Sequence, residues 1–216
     1  MNNKYLTIQQ STVAEYEINK SRFIAYLERI ATENEAIEFI GKIKKKHWDA
    51  RHNCSAYIIG EKANFQKADD DGEPSGTAGK PMLEVLKKNG LTDVVVVVTR
   101  YFGGIKLGAG GLIRAYGTSV TNAISATQIV EKVLFSRLAV TIDYTLLGTL
   151  ENNLHLSEYI IESKEFTDKV TLNILVPKTT VSSVKEAIIN WTSSHCSITQ
   201  LNEFFYEISV SNEEKS

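Results

Sequence analysis

The chain has little cysteine and little proline: two cysteines and three prolines in 216 residues. Cys54 and Cys196 lie far apart, with no spacing suited to a disulfide framework or a zinc site, so a reducing compartment is the expected home. Also missing is any apolar run long enough to span a bilayer, and the opening stretch MNNKYLTIQQSTVAEYE has no signal-peptide core. The expectation is a cytoplasmic protein that does not enter a membrane. Large excess charge is absent too, the net being −2. The balance is uneven, however. Residues 1–132 carry 18 basic against 15 acidic side chains, and residues 133–216 carry 6 against 11. Affinity for phosphate backbones therefore belongs to the first part.

At 43% hydrophobic, the chain can build a real core, and its length suits two domains. There is no internal repeat or long linker, and the boundary falls near Lys132 to Phe135. In residues 133–216, LAVTIDYT alternates Leu138, Val140, Ile142 and Tyr144 with small or polar residues. KVTLNILV does so through Val170, Leu172, Ile174 and Val176, and FFYEISV through Phe204, Tyr206, Ile208 and Val210. Period-2 patterning predicts strands with one buried face. Leu147, Leu150 and Leu154 have helical spacing, as do Val181, Val184, Ile188 and Trp191. EYIIESKEF adds a strand that turns at TD, giving the order β-α-β-β-α-β, a ferredoxin-like domain.

Residues 1–132 also read as α+β. TVAEYEI and SRFIAYLERI form a hairpin turning at NK, and TENE opens a helix with Thr32 as cap and Glu35 answering it. NCSAYIIG is a strand, ADDDGEPSGTAGK a loop, and PMLEVLKKNG a helix ended by Gly90. DVVVVVT is a strand buried on both faces. A long helix follows through Leu112, Tyr116, Val120 and Ile124.

Chemistry concentrates between those last two elements, where TRYFGGIKLGAGG holds five glycines in thirteen residues. Gly108, Gly110 and Gly111 bring free backbone N–H groups and a helix dipole to one point, with Arg100, Lys106 and Arg114 near them and Lys80 upstream. Two readings stay open. Gly103, Gly104, Gly108, Gly110 and Gly111 either permit tight turns and close helix packing, or cradle an anion. Neither G-x-G-x-x-G nor a Walker loop is present. Asp69, Asp70, Asp71 and Glu73 supply hard oxygen ligands suited to Mg2+, or form a solvated turn, and their spacing is not that of an EF-hand. His52 and Cys54 share a strand face as a conceivable nucleophile pair, but no third partner or oxyanion motif accompanies them. Cys54 reads better as a core residue, and His47 as the polar end of a helix. Tyr101 and Phe102 are open to stacking on bases but read better as core aromatics, and the KIKKK run as a solvated helix end or a phosphate contact.

VVVVVTRYFGGIKLGAGGLIRAYG, with DDDGEPSGTAGKPML upstream, resembles the IMPACT family in its bacterial, YigZ-like branch. The motif Arg-aromatic-aromatic-Gly-Gly followed by Leu-Gly is gap-free in Arg100, Tyr101, Phe102, Gly103, Gly104, Leu107 and Gly108. The resemblance implies a first domain like the second domain of ribosomal protein S5 and a ferredoxin-like second domain. It also implies work near translation, by contact with RNA or the ribosome, without an established reaction. Eukaryotic relatives carry an additional RWD domain, which is not expected ahead of the first strand here. The alternatives are an enzyme or binder for a phosphorylated metabolite and a protein-binding module. Strand edges in the second domain leave self-association open.

Overall fold

The structure is a computed structural model, described for residues 3–209. The chain divides into two compact units, Lys4–Glu131 and Lys132–Glu207. Both are α+β.

The first unit is built on an antiparallel sheet in the order β2-β3-β6-β4-β5. Its strands are β2 (Thr12–Ile18), β3 (Ser21–Arg29), β4 (His52–Ile59), β5 (Phe65–Asp69) and β6 (Val94–Tyr101), while β1 (Lys4–Ile8) lies outside this sheet. β2 and β3 join through Asn19 and Lys20, both at positive φ, a two-residue turn whose twist matches that of the strands. The centre is β6, whose five valines are fully buried. Val94, Val96 and Val98 pack into the main core with α2 (Gly79–Lys88) and α3 (Gly108–Ser125). Val95 and Val97 belong to smaller apolar clusters with residues of α1 (Glu33–Lys46). One face of the sheet thus carries two helices and the other carries one.

The helix ends follow local chemistry. Thr32 accepts from Glu35 N at 3.2 Å, while the Glu35 carboxylate takes Ala31 N, one residue before the cap. Pro81 sits in the first turn of α2, and Gly90, at positive φ, follows its C-terminal end. Two strands escape the sequence reading. β5 is exposed along its whole length and so lacks the alternation that betrays a strand. β1 is short and lies in a stretch without clear periodicity.

β7 (Ile129–Ile142) begins in the first unit, where Gln9 N bonds Gln128 O and β1 runs beside its start. The second unit continues with α4 (Leu147–Leu156), β8 (Ile160–Phe166), β9 (Val170–Pro177), α5 (Val181–Trp191) and β10 (Cys196–Ser209). β9 lies between β7 and β8, and β10 flanks β7, the ferredoxin-like arrangement. Leu138, Val140, Ile142, Val170, Leu172 and Ile174 form the sheet's buried face, and both helices pack on it.

Three expectations need correction. Tyr144 leaves the strand for a 3-10 turn and is exposed, its hydroxyl donating to Thr167 O. β10 starts eight residues before Phe204, and Phe204 and Tyr206 are only half-buried while Ile208 is exposed. Phe204 instead lies under Arg137, and Tyr206 packs on Phe135. Val210 lies outside the described residues.

Candidate nucleic-acid interface

β6 delivers Arg100 and Tyr101 to the edge of the core, and the glycine loop then turns the chain into α3. Gly103 is where the loop meets the β2–β3 turn. A Cβ there would sit 2.0 Å from the Lys20 carbonyl carbon, and Gly103 N donates to Ser21 Oγ at 3.1 Å. Gly104 and Gly108 take positive φ, which lets the chain reverse and enter the helix. Gly110 and Gly111 lie in the first turn of α3, where Gly111 faces Leu107 and Gly110 lies beneath the Arg114 guanidinium. Glycine therefore serves both close backbone approach and an open helix head. No side chain caps α3 and its first turn holds no acid, so its N–H groups and dipole remain available.

Beside that helix head lies a cavity of about 340 Å³. Its polar wall consists of Arg51, His52, Glu73, Arg100 and Lys106, and its apolar wall includes Pro74, Phe102, Leu107 and Leu112. Arg51 and Lys106 are exposed, and among the described residues neither side chain is held by an ion pair or hydrogen bond. Phe102, expected in the core, is 52% exposed because the loop carries it out over the Arg100 guanidinium, 5.6 Å away. Tyr101 is half-buried, with His47 Nδ1 2.9 Å from its hydroxyl.

Arg100 behaves differently from the exposed cations. It is buried, and Nη1 donates to Glu73 Oε1 at 2.6 Å. Tyr116 donates to the same oxygen at 2.9 Å, and the Cys54 sulfur lies 3.3 Å from the Tyr116 hydroxyl. Arg100 Nε is buried without a partner. Burial, with Cys54 and Glu73 close by, pushes the Tyr116 phenol far up, so it stays protonated as a donor. Burial also raises the Cys54 thiol to about 12 despite the Tyr116 hydrogen bond. A nucleophile needs a thiolate, so Cys54 is a core residue. His52, its supposed partner, has Nδ1 2.8 Å from Asp71 O. His47 caps α1 but is buried, with Nε2 2.7 Å from the Tyr26 hydroxyl.

The acidic loop is drawn apart by its partners. Asp70 accepts from Gly76, Ala78 and Gly79 N at 2.7, 3.1 and 2.8 Å, closing the head of α2. Burial raises its pKa, but these three bonds outweigh that and hold the carboxyl below its usual range. Asp71 takes Lys44 at 2.6 Å and Asn53 N at 2.7 Å, while Asp69 accepts from Asp71 N. With Glu73 on Arg100, the four carboxylates do not converge. Among the described residues no group of three or more His, Cys, Asp or Glu side chains is placed to hold a metal.

Of the sequence candidates, the structure thus brings Arg100, Lys106, Gly108 and Glu73 to one cavity. Lys80, on α2, and Arg114 are exposed and do not line it, nor do the other four loop glycines. The sequence reading missed Arg51, and it saw His52 only as a partner for Cys54. Their signal was adjacency to β4, usable only once the register sets His52 opposite Arg100.

These features define a class: a mixed α+β domain with a cationic cavity at a glycine-opened helix, followed by a ferredoxin-like domain. The Impact N-terminal domain matches residues 19–124, and a domain of unknown function, DUF1949, matches residues 140–194. IMPACT family member YvyE of Bacillus subtilis is 50% identical, covering 92% of this chain and 91% of its own. YigZ of Escherichia coli is 34% identical over 89% of this chain and 95% of its own. A solved structure titled as that of a hypothetical protein is 30% identical, with a TM-score of 0.61, covering 94% of this chain and 99% of that one. The chain belongs to the IMPACT family, with the S5 domain 2-like and ferredoxin-like pair expected of it. No described helix is long and apolar enough to cross a membrane.

Proposed function

We propose that this protein regulates translation in the cytoplasm by binding RNA or the ribosome through its N-terminal unit, without catalysing a reaction. The observation that carries the reading is the cavity's charge. Among the described residues, Arg51 and Lys106 are unpaired cations beside an uncapped helix head, and Glu73, the one acid lining the cavity, is neutralised by Arg100. Outside the cavity, the end of α1 carries further exposed cations and an exposed aromatic ring. Lys45 and Lys46 are exposed and Trp48, three residues before Arg51, is 83% exposed. Aromatic faces beside cations suit single-stranded nucleic acid, since bases stack while phosphates are neutralised. The test is co-sedimentation with ribosomes at low and physiological salt, comparing wild type with Arg51→Ala/Lys106→Ala. Both side chains are exposed, so the variant is expected to fold. Association should fall steeply with salt, and the variant's dependence should be shallower by roughly one to two log units per log salt. Salt-insensitive association, or none, removes the reading.

The concavity of the site favours a second reading, a binder of a phosphorylated metabolite, since about 340 Å³ is within the range of small-ligand pockets. Thermal shifts with nucleotides and sugar phosphates address it. A ligand at about a hundred times its Kd should stabilise by roughly 3 kcal/mol.

A further inference from the structure

We infer that the cavity at the head of α3 receives a nucleotide bearing a terminal phosphomonoester, at the end of an RNA strand or as a free nucleoside monophosphate. This rests on the nucleic-acid reading but specifies what enters the site. Charge is the first argument. A bridging phosphodiester carries a single negative charge, whereas a terminal phosphate carries about −1.5 to −2 near neutrality and offers three oxygens. The cavity matches the larger demand. Lys106 and Arg51 line it without partners among the described residues, Gly108 and Ala109 bring the uncapped head of α3 to it, and Arg100, its charge already met by Glu73, leaves a buried Nε–H without a partner. The α2 head differs, because the Asp70 carboxylate already serves its N–H groups. Among the described residues the α3 head has no such internal anion.

Shape and polarity supply the second argument. Orthophosphate alone leaves the apolar wall of Pro74, Phe102, Leu107 and Leu112 without a partner. A ribose and base fill it, with the exposed Phe102 ring positioned to stack. The volume lies near the lower end of the small-ligand range, about 300–1,000 Å³, the scale of a single nucleotide unit.

The experiment measures binding of the full chain to one short single-stranded oligoribonucleotide carrying a phosphate at its 5′ end, its 3′ end or neither. AMP and adenosine serve as competitors. One phosphorylated form should bind about tenfold more tightly than the unphosphorylated strand, as expected when one charge-assisted contact set is gained. AMP should compete and adenosine should not. Arg51→Ala/Lys106→Ala should erase the preference for the terminal phosphate while leaving weaker, salt-dependent binding. Equal binding of all three strands overturns the inference and leaves the RNA reading standing. Binding of AMP without any strand overturns the RNA reading, supports the cavity assignment and identifies the free nucleotide as ligand. No binding of strand or nucleotide overturns both.

Discussion

In the first unit, an ion pair lies within the fold: the Arg100 and Glu73 side chains are 8% and 3% exposed and share Tyr116 as a further donor. The corresponding cation in the second unit, Arg137, sits on the outside of β7, where it forks onto Glu162 and reaches Asn202. Beneath it the core is apolar, built from Leu138, Val140, Leu172, Ile174 and their helix partners. The lesson concerns cost. A buried charge that loses its partner stays unsolvated, while an exposed one recovers water. The second unit can therefore lose its pair at little expense, whereas the first has built its cavity wall on one that cannot be broken cheaply.

The largest expected effect follows from that difference. Glu73→Ala should destabilise the first unit by about 3–5 kcal/mol by leaving Arg100 buried and unpaired. Glu162→Ala should leave the melting temperature nearly unchanged. Parallel thermal melts check both, and equal effects would break the comparison. For the same reason Arg100→Ala is a poor probe of binding, because it disturbs the fold together with the site.

Glycine sharpens the contrast at a smaller scale. Gly103→Ala puts a methyl group onto the Lys20 backbone, a clash that a loop pinned by Ser21 cannot relieve by rotating a side chain. A loss of about 3 kcal/mol is expected by denaturant unfolding. Gly148→Ala in α4 meets nothing within 4 Å and should stabilise by up to about 1 kcal/mol, as alanine replaces glycine in a helix.

The smallest effect is in pH dependence, and the two units respond in different windows. Burial, reinforced by Lys46, lowers the His47 pKa below its ordinary 6.5. The unfolded chain then binds that proton more readily, so stability falls as pH drops below about 6.5 and levels off beneath the lowered folded value. His47→Gln should flatten this slope. In the second unit the Arg137 hydrogen bond lowers Glu162, whose contribution persists above the ordinary 4.5 and is lost only in more acidic solution. Urea titrations from about pH 2 to about pH 8 separate the two windows.

The strands that the sequence revealed are those whose burial has a period. The five valines of β6 and the alternation from Val170 to Val176 were legible because each side chain's environment repeats along the chain. The Asn19–Lys20 turn and the Thr32 cap were legible because their chemistry is local. β5 was not, since an exposed edge strand constrains its backbone pairing and not its side chains. At the site, the crowding of glycine and cations before α3 was visible, but their division of labour was not. Arg100, Lys106 and Arg114 look equivalent in one dimension. Folding buries the first on Glu73, leaves the second at the cavity and lays the third over Gly110.

By itself, then, the sequence determined both α+β domains, the β6–loop–α3 frame and the family, because periodicity, turn chemistry and contiguous motifs are written along the chain. Tertiary structure alone decided which charges are spent inside the fold and which face a ligand. Glu73 meets Arg100 across 27 positions, and Arg51 reaches the same cavity through the pairing of β4 with β6. Such pairings depend on distances in space, for which residue spacing carries no signal.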